Sequence, residues 1–179
     1  GGWPDSYVFR AGKNQQQEEM SDSQPETSAH ILRVRELLYI VQNKLEQRGF
    51  LHDHSKLGPN EKPHFDRVTG ELKGMTYGSD EYKASLKSLG PALAHHYANN
   101  SHHPEHFKNG VDGMSLLDVI EMLCDWKAAG ERHADGSIAR SLTVNRARFK
   151  ISDQLHTILS NTAKELGWIQ DAPKETTNK

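Results

Sequence analysis

Residues 50–57, Phe-Leu-His-Asp-His-Ser-Lys-Leu, place an imidazole beside a carboxylate at His52-Asp53. The rest of the predicted fold is arranged around this pair. Adjacent residues on a helix point about 100° apart, so these two side chains can reach one ion only at a helix end or on a tight turn. Gly49 is a natural stop for a preceding helix, and Gly58 followed by proline shortens the next segment. The stretch therefore predicts a metal-binding turn between helices, although a His-Asp dipeptide alone is common.

Histidine is unusually frequent, with 11 in a chain of 179 residues, and five lie within residues 95–106. An expression tag is excluded because the run is internal and is interrupted by Asn, Pro and Glu. His96 and His103 are seven residues apart, which is two helical turns, so they share a face if the helix continues to Pro104. These two are the favoured site residues, with His102 next. The five histidines are His95, His96, His102, His103 and His106.

A long helix is predicted over residues 28–48, upstream of the His-Asp pair, with Thr27 or Ser28 as its N-cap. Its apolar residues recur at helical spacing and predict a buried stripe that also contains a histidine. A lone inward histidine is more often a hydrogen-bonded core residue, but His30 precedes His52 by 22 residues and is a candidate ligand. The stripe consists of His30, Val34, Leu37, Leu38, Val41 and Leu45.

A second long helix is predicted over residues 116–129, where Ser115 and Asp118 form a capping-box pattern. Glu121 could pair with a surface lysine. Asp125 lies between Cys and Trp in the most apolar part of the pattern. A buried carboxylate must be paired or bound to metal, so Asp125 is either a ligand or a structural carboxylate.

The whole pattern predicts an all-α fold, a compact helical bundle. Further helices are expected at 80–89, from Pro91 to about Pro104, at 138–149 and at 153–166, and residues 66–79 are expected to form a loop or lid. Residues 1–27 and 171–179 are expected to be flexible tails around a single domain at 28–170.

Composition narrows the function classes. The net charge of −2 does not suggest nucleic-acid binding. A single Cys, Cys124, excludes an intrachain disulfide and a cysteine-rich zinc site. No apolar run reaches the 18 or so residues of a membrane span, and no signal-peptide pattern appears, so a cytoplasmic location is expected. A homo-oligomer remains open.

The ordered set His30, His52-Asp53 and Asp125 resembles the HD-domain metal-dependent phosphohydrolase superfamily, over about residues 28–130. Its compact form also resembles an HD-like family frequent in phages and bacteria. The segment His102-His103-Pro104-Glu105 is similar to the His-His-Glu segment of two-metal members. Pro104 interrupts that order, and Lys56 stands where the one-metal nucleotidase branch tends to carry Glu, so that branch's substrate does not transfer directly.

These residues together predict a metal-dependent phosphohydrolase for a small phosphorylated metabolite, with a nucleotide favoured. One or two divalent ions (Mn, Co, Ni, Fe, Zn or Mg) would be held by His30, His52, Asp53 and Asp125. His96, His102 and His103 would either bind a second ion or, as catalytic groups, hold phosphate and donate a proton. Lys56 would contact a phosphate. The alternatives are a di-iron oxygenase of the HD type and a non-catalytic, metal-stabilised nucleotide-binding module.

Overall fold

The computed structural model describes residues 22–76, 79–132 and 136–170, and within them the chain is helical without a strand. The predicted all-α class is confirmed. No helix in this part of the chain is long and apolar enough to cross a membrane. The α-helices are α1 (Gln24–Leu51), α2 (Lys62–Lys73), α3 (Asp80–Lys87), α4 (Pro91–Asn99), α5 (Leu116–Gly130), α6 (Ile138–Phe149) and α7 (Asp153–Glu165), and 3₁₀ turns occupy His54–Leu57, Pro104–His106 and Gly110–Gly113.

The chain forms two units, Gly1–Ile40 and Val41–Lys179, so the boundary lies within α1. The expected single domain at 28–170 did not include this division. The expected tails at 1–21 and 171–179 lie outside the described residues. Residues 24–27, which were assigned to the tail, are already helical because α1 begins at Gln24.

Helix α1 differs from its prediction in length and in burial. It continues through Gly49 to Leu51, since a glycine inside a helix costs only about 1 kcal/mol relative to alanine. None of its residues is buried, and His30 is exposed, so the predicted buried stripe is wrong within one copy of the chain. Periodicity identifies an apolar face but does not say what covers it.

The core lies among α5, α6 and α7. Helix α5 begins at a capping box, as predicted: Asp118 N–H donates to Ser115 Oγ, and Ser115 N–H donates to Asp118 Oδ2. Fully burying each large apolar side chain stabilises the fold by about 1.5–3 kcal/mol. The sequence of α7 also predicts an inward stripe of Leu155, Ile158, Leu159, Thr162 and Leu166. This stripe is only partly inward, because Ile158 and Leu166 are half exposed. The buried core residues are Val119, Met122, Leu123, Trp126, Ile138, Leu142, Ile151, Leu159 and Ala163.

Two expectations about the middle of the chain are wrong. The predicted loop at 66–79 is helical as far as Lys73, because α2 begins at Lys62 with a proline in its first turn and buries Val68. Helix α4 ends at Asn99 instead of continuing to Pro104. Consequently His102 and His103 lie in the connection after α4, and His96 lies on the helix itself.

Candidate metal centre

The His52-Asp53 pair lies on a tight turn that follows α1. Asp53 has φ 56° and ψ 13°, the left-handed conformation that non-glycine residues seldom adopt. This reversal separates α1 from the 3₁₀ turn His54–Leu57 and lets adjacent side chains approach one point. The predicted helix end is therefore present, but it is made by Asp53 and not by Gly49.

The connection after α4 is held by Asn100, which is almost fully buried. Its Nδ2 donates to the carbonyl oxygen of His96 at 2.7 Å and to Ser55 Oγ at 2.8 Å. These bonds tie the end of α4 to the 3₁₀ turn that follows Asp53. As a result, His102 and His103 return toward His96 although they are no longer helical.

Four imidazoles and two carboxylates meet at this turn. Asp53 Oδ1 lies 3.3 Å from His96 Nε2 and 3.6 Å from His102 Nε2. His52 Nε2 lies 3.6 Å from Asp53 Oδ2 and 3.6 Å from Asp125 Oδ1. His96 Nε2 and His103 Nε2 are 2.9 Å apart. Asp53 thus stands between two ligand groups, one with His52 and Asp125, and one with His96, His102 and His103.

Glu121 on α5 holds two of these imidazoles through one carboxylate, and we call these three residues the Glu121 set. Its Oε1 accepts from His52 Nδ1 at 2.9 Å and from His102 Nδ1 at 3.0 Å. With the proton on Nδ1, each Nε2 presents a lone pair toward Asp53, which is the arrangement that carboxylates impose on metal-bound histidines. Arg48 Nε donates to Glu121 Oε2 at 2.7 Å and its guanidinium also pairs with Asp118.

Glu61 makes a similar arrangement on the other side, and we call it with its two histidines the Glu61 set. Its Oε2 accepts from His96 Nδ1 at 2.9 Å, and its Oε1 accepts from His95 Nδ1 at 2.6 Å. Glu61 is fully buried, whereas His95 is about one-third exposed. Therefore one histidine of this set faces the centre and the other faces solvent.

Two unpaired atoms support a cation at this place. Asp53 Oδ1 and His102 Nε2 are buried without a hydrogen-bond partner, and they face each other. Buried polar atoms are almost always satisfied. Neighbouring ligands of an ion with bonds of about 2.1 Å lie roughly 3.0–3.5 Å apart, close to the separations around Asp53. The residues present therefore fit a divalent ion bound by nitrogen and oxygen.

Protonation in the absence of metal follows from the same contacts. The carboxylates of Asp125 and Glu121 raise the pKa of His52 from 6.5 to about 10. Burial, together with the nearby imidazoles of His102 and His96, lowers the pKa of His103 from 6.5 to about 3. Burial would raise the pKa of Asp53, but the Lys56 ammonium, 2.5 Å from its Oδ2, holds that pKa below its usual value. A proton on His52 and the Lys56 ammonium thus supply positive charge to the carboxylates.

A pocket of about 140 Å³ opens beside the centre. Its floor includes Asp53, His96, His103 and Asp125, so the candidate ligands are reachable from solvent. Cationic side chains and aromatic rings form most of the rest of the wall, together with Leu93 and Ala129. Trp126 and Phe149 are stacked with an interplanar angle of 3°. The cations are Lys56, Arg132 and Arg148, and the aromatic residues are Phe65, Tyr82, Tyr97, Trp126 and Phe149.

The structure thus brings six of the predicted ligands together, and their binding of metal stays a prediction. It places the seventh, His30, on the exposed first part of α1, in the unit that ends at Ile40, and no ligand group among the described residues includes it. His106 is exposed, and its Nδ1 bonds the carbonyl oxygen of Tyr97. The six are His52, Asp53, His96, His102, His103 and Asp125.

Two carboxylates of the site were missed or misread from the sequence. Glu121 was expected to pair with a surface lysine, but it bonds two imidazoles and Arg48. Its position four residues before Asp125, on the same face of α5, was the available signal. Glu61 lies in the short turn before α2 and carries no pattern that distinguishes it from a solvated glutamate.

A family model described as a family of unknown function, DUF5662, matches residues 19–165. This match covers most of the chain, so the chain belongs to that family. No curated protein and no solved structure matches it.

Proposed function

We propose that this member of the DUF5662 family is a metal-dependent phosphohydrolase that acts on a small phosphorylated metabolite, with a nucleotide as the best-fitting substrate. The observation that carries the proposal is the convergence of the Nε2 atoms of His52, His96 and His102 on the oxygens of Asp53 and Asp125 beside an open pocket. His103 Nε2 lies 2.9 Å from His96 Nε2 at the same place. The resemblance to HD-domain phosphohydrolases is part of the same proposal. It rests on His52-Asp53 and Asp125, because no ligand group among the described residues includes His30.

A divalent ion bound by these residues would polarise water and a phosphoryl oxygen and offset their negative charge. The protein residues would do the rest. The Glu121 set and His96 of the Glu61 set hold three imidazoles with their Nε2 lone pairs turned toward Asp53. Lys56 and Arg132 line the pocket beside the centre and would attract a phosphate as fixed positive charges.

The pocket wall supports a nucleotide more than a sugar phosphate. Five aromatic side chains line it, and a flat base gains more from packing on aromatic faces than a hydroxylated sugar does. Arg148 lies 4.6 Å over the ring of Phe149 and is bonded to Glu105 at 2.7 Å, so its guanidinium is held at the pocket wall in a defined orientation.

The test is a metal titration of the metal-free protein followed by a phosphatase screen over nucleotides and sugar phosphates with Mn, Co, Ni, Fe, Zn and Mg. We expect phosphate release with at least one metal and the fastest release from a nucleotide. Asp53→Asn should abolish both metal binding and release, whereas the control Asp112→Asn, at an exposed carboxylate, should leave both unchanged. O₂ consumption with bound iron would favour an oxygenase, and retention of a nucleotide without turnover in any metal would favour a binding module.

A further inference from the structure

Lys56 places an ammonium beside the candidate ligand Asp53. Its Nζ donates to Asp53 Oδ2 at 2.5 Å. The local fold sets this contact, because Lys56 lies in the 3₁₀ turn His54–Leu57 and its backbone N–H donates to the carbonyl oxygen of Asp53 at 2.9 Å. The chain therefore holds one of its own charges against an oxygen of a proposed metal ligand.

The two oxygens of Asp53 have different surroundings. Oδ1 is buried without a hydrogen-bond partner, and it faces the Nε2 atoms of His96 and His102 at 3.3 and 3.6 Å. Oδ2 lies 3.6 Å from His52 Nε2 and accepts from the Lys56 ammonium. Among the described contacts of Asp53, a lysine ammonium is thus present on the Oδ2 side, and neither lysine nor arginine pairs with Oδ1.

The ammonium and a divalent ion exclude each other at Oδ2. A lysine ammonium has three donors and no acceptor, so it cannot itself coordinate a metal. Two cations at one oxygen repel each other, and the repulsion is stronger where water screens it less. The Asp53 side chain is only 20% exposed, so the screening here is weak. Lys56 must therefore leave Oδ2 whenever that oxygen serves an ion in the group with His52 and Asp125.

The structure offers the released ammonium a second position. Lys56 lines the pocket, and its Nζ lies 5.2 Å from the centroid of the Phe65 ring, within the distance at which an aromatic face attracts a cation. The Lys56 side chain is about one-third exposed, so it has room to turn. In the pocket it would meet the phosphate of a bound substrate as a compact charge on a flexible stem.

We propose that Lys56 is a tethered cation that competes with a divalent ion for Asp53 Oδ2 and, once displaced, turns into the pocket to bind phosphate. An anion that pairs with Lys56 draws it away from Asp53 and so strengthens metal binding. By linkage, bound metal strengthens anion binding by the same factor. The inference rests on the metal centre of the proposed function, but it does not require hydrolysis.

The test is a Mn titration of the metal-free full chain by competition with a chelator of known affinity. Lys56→Met keeps the length of the side chain and removes its charge. If Oδ2 is free of Lys56 in at most about one molecule in ten, apparent binding is weakened at least about 10-fold, and Lys56→Met should recover this affinity. Lys62→Met is the matched control and should leave the affinity unchanged, because Lys62 also pairs with an aspartate, Asp66, but outside the ligand groups of the described residues.

The location of the effect separates competition for Oδ2 from a general loss of charge. His96→Gln weakens the ligand group on the Oδ1 side of Asp53, and His52→Gln weakens the group on the Oδ2 side. Added to His96→Gln, Lys56→Met should raise Mn affinity by about 10-fold. Added to His52→Gln, it should change the affinity little. Equal gains in the two backgrounds would overturn the competition for Oδ2.

Sulfate, a tetrahedral dianion like phosphate, tests the transfer of the ammonium. Sodium sulfate, compared with sodium chloride at the same ionic strength, should raise the Mn affinity of the wild type. It should raise that of Lys56→Met distinctly less, because only the wild type has an ammonium to withdraw from Asp53. An equal gain in both proteins would overturn the transfer.

A measurement on the wild type keeps the test independent of the stability of Lys56→Met. In a crystal structure with bound Mn, Lys56 Nζ should lie beyond hydrogen-bond distance of Asp53 Oδ2 and toward the pocket. An Nζ that still bonds Oδ2 beside bound Mn would overturn the proposal. Normal metal binding by the wild type with no gain in Lys56→Met would overturn this inference alone, whereas a wild type that binds no divalent metal would overturn the metal centre of the proposed function as well.

Discussion

The Glu121 set and the Glu61 set each contain one carboxylate that accepts hydrogen bonds from two histidines, but they are built for different purposes. Both histidines of the Glu121 set, His52 and His102, face the centre, and Arg48 balances the carboxylate. Only His96 of the Glu61 set faces the centre, and among the described contacts no lysine or arginine pairs with Glu61. Glu121 therefore positions more of the proposed ligands, whereas Glu61 connects one ligand to the surface.

Besides the Glu121 set itself, the centre contains two ligand groups, and these two share Asp53. If each group holds an ion, His52→Gln and His96→Gln should each lower the metal content from about two per chain to about one, because each removes a donor from one group. Metal analysis after equilibration with excess Mn or Co measures this. His156→Gln, at a histidine of α7 outside the ligand groups, should keep full occupancy. If the wild type binds a single ion, the two groups form one metal site. His96 and His103 would then act on the phosphate.

The two carboxylates should differ in their effect on metal affinity. Removing a residue that orients a metal-bound histidine typically weakens binding by 10–100-fold. Glu121→Gln disturbs two inward histidines and should fall near the upper end, while Glu61→Gln disturbs one and should fall near the lower end. Competition with a chelator of known affinity measures both values. Equal losses, or a larger loss in Glu61→Gln, would contradict the assignment of more ligands to Glu121.

Sequence reasoning found the candidate ligands better than it found the residues that surround them. The His-Asp pair, the histidine cluster and the late Asp125 were recognisable because their residue types are unusual in those positions. The long-range contacts were not, since Glu61 reaches His96 across 35 residues and Arg48 reaches Glu121 across 73. No local pattern encodes a partner at that distance.

The helix predictions show the same limit. The bounds of α6 were confirmed and those of α5 differ only at its end, because capping and turn residues act locally. The predicted burial of α1 was wrong within one copy, because a 3.6-residue period reports which face is apolar and not what covers it. Similarly, His102 and His103 reach His96 through a turn that Asn100 holds, which helical spacing did not predict.

The stability of metal-free protein should depend on pH in opposite directions through the two ligand groups. The pKa of His52 is raised to about 10, so its stabilising contribution is full below about pH 6.5 and is lost as the pH rises through 10. The pKa of His103 is lowered to about 3, so its contribution is full above about pH 6.5 and is lost as the pH falls toward 3. Both histidines favour stability near pH 6.5.

Thermal unfolding in the presence of a chelator, from pH 5 to pH 9, measures this dependence. We expect the melting temperature to fall on both sides of a maximum near pH 6.5. His52→Gln should flatten the alkaline side and His103→Gln the acidic side. Excess metal should remove the alkaline decline, because the ion replaces the proton on His52. An alkaline decline that is unchanged in His52→Gln would show that other groups cause it.

The smallest effect is expected from Arg48, which acts on the centre only through Glu121. Its guanidinium donates to Glu121 Oε2 and to Ser101 Oγ, and it pairs with Asp118. Arg48→Lys keeps the charge but cannot donate in these directions at once. In this variant Glu121 would keep its hydrogen bonds to both histidines but would be held less firmly in its orientation. Metal affinity should therefore fall by only a few-fold, which is less than the 10–100-fold loss expected when a residue bonded directly to a ligand is replaced.

The matched control for this variant is Arg33→Lys, since Arg33 lies on the exposed part of α1 and pairs only with Glu36 among the described residues. It should leave metal affinity unchanged. Chelator competition and thermal unfolding should be measured on both variants, because a purely structural role of Arg48 would lower the melting temperature without changing the affinity of the folded protein for metal. That outcome would remove Arg48 from the Glu121 set's support and would leave Glu121 oriented by its two histidines alone.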